Sequence, residues 1–365
     1  MLTRRQFVQI PAGLLALQAC SSTSTGDSNY EAAARSIWRP AENEPGDRSS
    51  LQQELVRYAT LAPSSHNTQC WKFRSEERAI SILPDLSRRC PVVDPDNHHL
   101  FVSLGCATEN LIQAALANGM RGEVLFDTTA DGLLRVVLEP TKPIISALFK
   151  AIPMRQCTRA EFDGKPLSNA ELKLLDSAGT GNGIRVLLLT DKSAMDQVLE
   201  YVIQGNTAQM NNPAFFAELK AWIRFSDDEA VRTGDGLSTR STGNPSLPRW
   251  LASPLLNLFL TAKSENDKYA KQIRSSAGIA IFVSEVADKA HWIEAGRCYE
   301  RFALQATALG IRNAMVNQPV EVSLIRPQFA DAIGMGKLRP DLVVRFGRGP
   351  EMPRSLRRPV HAVLA

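Results

Sequence analysis

The chain has 365 residues, of which 44% are hydrophobic and 22% are charged, and its formal net charge at pH 7 is +4. This length and apolar content allow one large domain or two small ones, each with a proper core. The nearly balanced charge gives no basis for binding nucleic acid, and no apolar run beyond the N-terminus is expected to be long enough to span a bilayer.

The first twenty residues have the features of a targeting segment and are kept apart from the fold. The stretch TRRQFV, Thr3 to Val8, carries paired arginines and precedes an apolar run, which is typical of a twin-arginine export signal. LQAC, ending at Cys20, resembles a lipobox, in which this cysteine would be acylated. Gln18 is uncommon there, and a signal cut by the ordinary peptidase is the alternative. We therefore expect an exported protein, either periplasmic or anchored to the membrane as a lipoprotein.

Residues 21–48 are polar and rich in Pro, Asp and Glu, so they are predicted to form a linker. The first half of the folded region, residues 49–143, opens with a capping box at Ser50–Gln53 and a helix that Pro63 ends. Hydrophobic periodicity predicts the elements that follow. They are strands at Trp71–Phe73 and Ile80–Leu83, a helix at about His99–Gly119 and a buried strand at Leu133–Glu139.

The second half, residues 144–365, repeats this order, and a capping box at Ser168–Glu171 opens a helix to about Ala178. Strands are predicted at Ile184–Thr190, Gly278–Glu285 and Leu342–Gly347, and a long helix at about His291–Gly310. Five residues of the first long helix match five of the second at one offset of 191: Gly105, Glu109, Ala115, Ala117 and Gly119 against Gly296, Glu300, Ala306, Ala308 and Gly310. Shared helix composition is one explanation, and an internal duplication is the one that we favour.

Residues 211–275 are extra sequence in the second half that the first half lacks. The portion Ser226–Pro248 is rich in Gly, Ser, Thr and charge, and a long irregular loop inside a compact domain is usually functional or disordered. We predict that this portion is a lid. The apolar segment Trp250–Leu260 is expected to pack beside the lid or to line a pocket.

The cysteines beyond Cys20 show no CxxC pair and no zinc-site spacing. They are Cys70, Cys90, Cys106, Cys157 and Cys298. An odd number of cysteines in an exported protein argues against a full disulfide framework, and we expect most of them to be buried as small hydrophobic side chains.

The first candidate binding segment is APSSHNTQCW, Ala62 to Trp71, in which six hydrogen-bonding side chains follow one another. Short side chains that both donate and accept can surround the edge of a planar heteroaromatic ligand. The residues predicted to do so are Ser64, Ser65, Asn67 and Gln69, and Pro63 is expected to form the turn that presents them. The alternative is a turn that merely caps helix ends.

Two basic segments are the further candidates. In MRQCTRAEF, Arg155 and Arg159 flank Cys157 and Thr158, and two guanidiniums with a small side chain between them can surround a terminal phosphate. The segment PRSLRRPV also suits a phosphate or other acidic groups. Its basic residues are Arg354, Arg357 and Arg358. A solvated basic turn and a basic C-terminal tail are the alternatives.

Together these segments resemble the flavin-dependent nitroreductases, most closely the Acg-like branch with twin-arginine signals, over nearly all of the chain after residue 48. In that family an R-x-S-x-R segment of one subunit holds the FMN phosphate, and a PSxxNxQPW segment of the other borders the isoalloxazine ring. Basic residues near the C-terminus complete the phosphate site of an obligate dimer. The resemblance implies an α+β, nitroreductase-like fold and FMN as the cofactor.

Each half of the chain lacks what the other half keeps. The first half has the PSxxN loop, with Cys70 where the family has proline, but its SIWRP segment supplies only Arg39 to an arginine motif. The second half has the arginine motif, with Cys157 in the serine position, but SAGTGNG, Ser177–Gly183, stands in place of the loop. We interpret the chain as two fused nitroreductase-like halves, an intramolecular pseudo-dimer that acts as a monomer and has one complete FMN site.

In the family, a reduced nicotinamide passes hydride to flavin N5, and the flavin then reduces a nitroaromatic or a quinone, so the cofactor supplies the chemistry. No side chain is therefore predicted to be catalytic. His66 can reach the flavin or the substrate, but a capping role is the simpler expectation. Adjacent His98 and His99 are predicted to face different directions and to form a poor metal pair. Cys157 is expected to replace the serine hydrogen bond.

Export raises a difficulty, because no NAD(P)H pool is expected outside the cytoplasm. One hypothesis is an FMN-dependent oxidoreductase that takes electrons from another donor and passes them to a small-molecule acceptor. The other is a non-catalytic protein that binds or sequesters FMN beneath a closed lid. An open channel to N5 would favour the first hypothesis, and lid residues packed over the ring would favour the second.

Overall fold

A computed structural model describes residues 29–40, 46–127 and 132–365. The predicted export signal, with the candidate lipidation site Cys20, and the polar stretch 21–28 lie outside these residues. The described chain is a mixture of helices and antiparallel sheets, which confirms the predicted α+β class.

The first half contains one four-stranded antiparallel sheet and one long helix. Its elements are α1 (Asn29–Ile37), α2 (Arg48–Thr60), β1 (Trp71–Ser75), β2 (Ala79–Pro84), α3 (His98–Ala117), β3 (Met120–Asp127) and β4 (Leu133–Pro140). The strand order is β1-β2-β4-β3. Every predicted strand and the long helix are confirmed. Strand β3 is additional, and the apolar pattern missed it because it alternates half-buried with exposed residues.

The second half contains a second four-stranded sheet of order β5-β8-β10-β9 and a short parallel pair, β6-β7. Its first elements are α4 (Ala147–Ala151), α5 (Asn169–Gly179), β5 (Ile184–Leu189), α6 (Lys192–Met210), α7 (Pro213–Trp222), β6 (Ile223–Arg224), α8 (Asp227–Thr233) and β7 (Leu237–Ser238). The remaining elements are α9 (Arg249–Phe259), α10 (Ala262–Arg274), β8 (Gly278–Ser284), α11 (Lys289–Ala308), β9 (Arg312–Met315), α12 (Gln318–Glu321), α13 (Arg326–Ala332) and β10 (Arg339–Gly347).

The two sheets have the same strand order, with β1, β2, β3 and β4 corresponding to β5, β8, β9 and β10. Helices α3 and α11 cross at the centre of the protein, and each helix has a glycine at the point of contact. A Cβ added at Gly105 would lie 2.0 Å from the carbonyl oxygen of Ile293, and one added at Gly296 would lie 2.0 Å from that of Val102. Because a side chain would block this approach, both positions require glycine. Gly105 corresponds to Gly296, and Val102 to Ile293, at the offset of 191. A local two-fold axis produces such a reciprocal pair of contacts.

The C-terminal segment crosses from the second half to the first. The backbone N–H of Phe73 in β1 donates to the Val363 carbonyl at 2.8 Å, and the N–H of Ala365 donates to the Phe73 carbonyl at 2.8 Å. The chain therefore adds a short parallel bridge to the β1 edge of the first sheet. This crossing ties the two halves together by backbone hydrogen bonds.

The predicted linker differs from the structure, because residues 29–38 belong to the fold. Tyr30 in α1 is fully buried and its hydroxyl donates to the Arg354 carbonyl at 2.7 Å. The Trp38 indole N–H donates to the Ser355 carbonyl at 2.9 Å. A first capping box is present, but Asp47 rather than a serine is its N-cap residue. The Ser168–Glu171 box is confirmed.

One helix, α3, is long and apolar enough to cross a membrane by length and composition, which contradicts the expectation from the sequence. It is a core helix here, since 78% of its most apolar window is buried inside the protein. The five described cysteines are free thiols, and four of them are buried, as expected.

The insertion contains more regular structure than predicted. Its polar portion forms α8, β7 and a short 3₁₀ turn instead of one irregular loop. Helix α9 lies beside α8, where Arg249 pairs with Glu229 at 2.5 Å. The start of α9 thus lies beside the lid portion, as predicted, but Trp250 is 76% exposed and does not line a pocket.

Candidate functional site

The segment after α2 is a tightly fixed loop with an unusual backbone. His66, Asn67 and Gln69 have φ angles of 47°, 52° and 53°, in the left-handed region that residues other than glycine rarely adopt. The hydroxyl of Ser64 accepts the N–H of Gln69 at 2.9 Å and holds this conformation. Clusters of such residues are typical of ligand-binding sites, where the surrounding structure enforces them.

The amide side chains of this loop bind backbone groups of two distant segments. Asn67 Nδ2 donates to the carbonyls of Gly236 at 3.0 Å and Leu356 at 3.2 Å. Gln69 Nε2 donates to the Gly234 carbonyl at 2.8 Å, and its oxygen accepts the N–H of Arg358 at 2.8 Å. The buried Asn67 Oδ1 has no partner among the described residues. The loop thus retains one buried acceptor for a ligand.

Residues 234–236, which we name the lid tip, close over the loop. Both lid-tip glycines have positive φ angles, 63° and 72°, which glycine adopts without a steric cost. The carboxylate of Asp235 lies 2.7 Å from Nη2 of Arg224 and also pairs with Arg88 on the first half. The insertion therefore reaches the loop as a lid is expected to do.

The arginine motif runs along the outer edge of the second sheet. Cys157 forms a parallel bridge with Asn313 of β9, and the N–H of Thr158 donates to the Asn313 carbonyl at 2.8 Å. Nη2 of the buried Arg345 donates to the carbonyls of Thr158 at 2.9 Å and Ala160 at 2.8 Å. The backbone of the motif is therefore rigid, and Cys157 is only partly buried.

The two arginines of this motif have different surroundings. Arg155 is buried, its Nη2 donates to the Leu61 carbonyl at 2.9 Å, and its Nε lies 3.3 Å from the carboxylate of Glu300. The guanidinium of Arg159 has no partner among the described residues, whereas its carbonyl accepts a hydrogen bond from Gln272. Arg155 is therefore held by the fold through Nη2 and its ion pair, although its Nη1 has no hydrogen-bond partner among the described residues, and Arg159 has donors free for a ligand.

Arg159 lies close to the loop of the other half. Burial, with the nearby charges of Arg159 and His99, lowers the pKa of His66 to about 4. Nδ1 of His66 is 3.5 Å from Sγ of Cys90. The charge of Arg159, a second-half residue whose guanidinium has no partner among the described residues, thus acts on the loop that the first half builds.

The three C-terminal arginines also differ in how far the fold occupies their donors. Arg357 is buried and donates to the carbonyls of Thr60 at 2.8 Å and Leu61 at 3.1 Å, so it caps the C-terminal end of α2. Arg354 donates weakly to the Arg155 carbonyl at 3.5 Å. Arg358 is half-buried beside the loop, and its Nη1 has no partner among the described residues.

Sequence reasoning missed Trp38, which organises this basic cluster. The guanidinium carbons of Arg155, Arg354 and Arg357 lie 6.0, 5.3 and 4.9 Å from its ring centroid. Cation–π contacts of this kind favour arginine on an aromatic face. The sequence offered one signal for this role, since an aromatic residue stands directly before Arg39 in SIWRP.

A second missed region follows β9. Gln318 is buried, and its Oε1 has no partner among the described residues. Burial and the carboxylates of Glu265 and Glu321 raise the pKa of Tyr269, while Arg159 lowers it. Arg159 therefore lies near Tyr269 as well as near the loop, and Gln318 adds a second buried acceptor to the same region.

The two adjacent histidines do not diverge, contrary to the expectation from the sequence. Their ring centroids are 4.7 Å apart, and one ligand atom each from Asp94, His98 and His99 lies within 4.8 Å of the others. Nε2 of His98 is 2.8 Å from the carboxylate of Asp341 in β10. Burial, His99 and the guanidinium of Arg339 lower the pKa of His98. Nε2 of His99 lies 3.3 Å from the Asp341 carbonyl oxygen, so we interpret the cluster as a hydrogen-bonded link between the halves.

The position that corresponds to the loop in the second half is filled by protein. A Cβ added at Gly181 would lie 2.5 Å from Sγ of Cys298 and 2.6 Å from the carboxylate of Glu294. Arg301 donates to the Ala178 carbonyl at 3.3 Å and pairs with Glu294 at 3.1 Å. Side chains of α11 thus occupy the space beside Ser177–Gly183.

Comparison with known proteins gives relatives along most of the chain, although no protein-family model matches it. "Putative NAD(P)H nitroreductase Rv3131" of Mycobacterium tuberculosis is 26% identical over 325 residues, which are 85% of this chain and 90% of the relative. "Putative NAD(P)H nitroreductase acg" of the same species is 20% identical over 322 residues, 85% of this chain and 94% of that protein.

Solved structures with some likeness include an FMN-bound nitroreductase from Desulfitobacterium hafniense, with a TM-score of 0.37 and 13% identity over 59% of this chain and 96% of that one. The nitroreductase NfnB of Mycobacterium smegmatis, in complex with NADPH, gives a TM-score of 0.38 and 14% identity over 56% of this chain and 87% of its own. The sequence relatives extend across both halves of the chain. This chain is therefore similar over most of its length to proteins named as nitroreductases, the family that its motifs resemble.

Proposed function

We propose that this chain is an FMN-dependent oxidoreductase of the nitroreductase type, folded as a pseudo-dimer with one FMN per chain. The observation that carries the proposal is the meeting of the first-half loop with the unpaired Arg159 of the second half. The named function of its relatives, of which the chain spans 90% in one case, supports the same activity. The matching strand orders and the reciprocal glycine contacts support the pseudo-dimer.

The residues present fit FMN. Asn67 Oδ1 and Gln318 Oε1 are buried acceptors with no partner in the described part of the chain, which suits a heterocycle that carries an N–H group. Arg159 and Arg358 have donors that suit a phosphate, and Ser65 lies on the same loop. When bound, FMN supplies hydride transfer through N5. Arg155 and Arg357 would act indirectly, because they fix the end of α2, from which the loop begins.

The side chains of this site orient the ligand and exclude water. His66 is neutral at neutral pH, because burial, Arg159 and His99 lower its pKa to about 4. It therefore adds no charge beside the ligand and can take part in a neutral hydrogen bond. We assign no proton-transferring side chain. The acceptors proposed are nitroaromatics, quinones or similar small molecules.

A second candidate function is retention of FMN without turnover. The lid tip is closed in this structure, since the carbonyls of Gly234 and Gly236 occupy the amide donors of Gln69 and Asn67. Such closure restricts access to a bound flavin. A closed lid held by the Asp235 ion pairs specifically favours this second candidate.

Anaerobic reduction of the purified holo-protein distinguishes the candidates. Dithionite, NADH and NADPH are added separately, flavin absorbance is followed, and a quinone is then offered to the reduced protein. Reduction by a nicotinamide, or quinone turnover after chemical reduction, supports the oxidoreductase. Reduction by dithionite alone, without turnover, supports FMN retention. A protein that neither purifies with FMN nor binds added FMN refutes both.

We also propose export of the folded, FMN-loaded chain, with acylation of Cys20. The paired arginines and the LQAC sequence support this proposal. Mass spectrometry of the mature N-terminus from membrane and periplasmic fractions tests it. An intact N-terminus found only in the cytoplasm would contradict export, and cleavage at another residue would contradict acylation.

A further inference from the structure

Helix α9 presents an apolar face to the outside of the protein. Trp250 is 76% exposed, and Leu251 and Leu255 are 39% and 37% exposed. Pro254 is exposed on the same side, at a spacing that places all four residues on one arc of the helix. Ala252 and Leu256 on the other side are half-buried. Apolar residues therefore lie on both sides of the helix, and the outward side presents an exposed apolar surface instead of the usual polar one.

We infer that this face of α9 rests in the interfacial region of a lipid bilayer. Tryptophan and leucine on one face of a helix that lies along the membrane surface are typical of such binding. The indole ring is suited to this depth because one edge is polar and the body is apolar. The inference does not depend on the proposed redox chemistry.

The charge of the surrounding segment is consistent with an anionic bilayer. Residues 249–274, which include α9 and α10, contain five basic and two acidic residues, a net charge of +3. Lys263, Lys271 and Arg274 are exposed on α10. Lys263 pairs with Asp267 at 2.8 Å and Arg274 pairs with Asp196 at 3.2 Å, both at the surface. Basic residues beside an apolar helix add electrostatic attraction to anionic headgroups.

The beginning of the described chain lies beside the same surface. Helix α1 packs on α8, where Tyr30 joins Ala230 in one apolar cluster, and Arg240 pairs with Glu31 at 3.0 Å. Arg249 at the start of α9 pairs with Glu229 of the same α8. Only eight residues, 21–28, separate α1 from Cys20, and fully extended they span at most about 29 Å. An acylated Cys20 would therefore hold α8 and α9 close to the bilayer.

Fluorescence quenching by brominated lipid tests this orientation in the full chain. Vesicles of phosphatidylcholine and phosphatidylglycerol carry bromine on their acyl chains, and quenching of tryptophan emission is compared between variants. Trp38, Trp71 and Trp292 are buried in the protein and Trp222 is half-buried, whereas Trp250 is 76% exposed. Trp250 is therefore the expected source of the quenched component. We expect the wild type to be quenched and Trp250→Phe to lose that component.

A double variant separates α9 from the N-terminal anchor. Leu251→Ser with Leu255→Ser keeps Trp250 and should reduce quenching to the level of Trp250→Phe, while the full chain still sediments with vesicles through its N-terminus. Leu174→Ser, at a residue that is 47% exposed on α5, is the matched control and should be quenched as the wild type is.

Two results would overturn the inference. Equal quenching of the wild type and Trp250→Phe would place α9 away from the lipid. Concentration-dependent dimers in lipid-free solution that disappear in the double variant, with no Trp250 quenching on vesicles, would assign the face to a second copy of the chain.

Discussion

Replacing Arg159 by alanine should weaken FMN binding without unfolding the protein. Replacing Arg155 by alanine should instead destabilise the fold without weakening FMN binding directly. The Arg159 guanidinium has no partner among the described residues, so its removal leaves no buried group unpaired. Loss of one hydrogen bond to a charged phosphate costs about 1.5–3 kcal/mol, which corresponds to a roughly 10- to 150-fold rise in Kd. Removal of Arg155 leaves the buried Glu300 without its ion-pair partner at 3.3 Å, and breaking a buried pair costs about 3–5 kcal/mol.

Titration of FMN onto apo-protein, followed by the quenching of flavin fluorescence, measures the first effect, and urea unfolding of the apo-protein measures the second. Arg185→Ala, at an exposed residue of β5 that pairs with Glu285, controls for the loss of a positive charge. Burial raises the pKa of Glu300 to about 7 even beside Arg155, so the Arg155→Ala protein should bind an extra proton near neutral pH. An Arg159→Ala protein with the wild-type Kd would remove Arg159 from the site.

Three further outcomes are expected. Flavin released by acid should approach one FMN per chain, and a ratio near two would contradict the single-site proposal. Asp235→Ala removes the ion pairs of the lid tip and should speed dithionite reduction at equal flavin occupancy, and an unchanged rate would mean that the lid tip does not gate the site. The pKa of His66 is about 4 in the fold against 6.5 ordinarily, so its contribution to stability is present above pH 6.5 and lost as pH falls towards 4. Between neutral pH and about pH 4.5, the free energy of unfolding of His66→Asn should fall by up to ~3 kcal/mol less than that of the wild type, because asparagine does not titrate there and tolerates positive φ. An unchanged pH dependence in urea unfolding would contradict a neutral His66 in the fold.

Local patterns predicted those parts of the fold that local physics decides. The capping box at Ser168–Glu171 and the apolar run Leu342–Gly347 occur as expected because each depends on neighbours within a few residues. Helix α3 was recognised, although its burial could not be judged from its sequence alone. Its length and composition also suit a membrane, and only packing against α11 distinguishes the two environments.

The roles within the basic motif could not be predicted, because they depend on partners far away in sequence. Arg155 and Arg159 look equivalent in MRQCTRAEF. The structure places the Leu61 carbonyl and Glu300 beside the first, while the second has no partner among the described residues. Likewise, helical geometry turns adjacent side chains apart, but His98 and His99 both reach β10 from the start of α3 and meet at Asp341. Tertiary neighbours decide which of two similar residues remains free.

The contrast between the two loop positions supports our proposal that the chain is a pseudo-dimer in which one of two symmetric sites has been lost. Beside the first-half loop, α3 contributes the small Ser103, whose hydroxyl lies 3.4 Å from the Ser65 amide. At the same offset of 191, α11 carries Glu294, which fills the space against Gly181 and is held there by Arg301. A homodimer cannot close one site without closing both, because its halves share one sequence. A single chain can, and its one insertion then needs to cover only the proposed site at the first-half loop, where the lid tip binds Asn67 and Gln69.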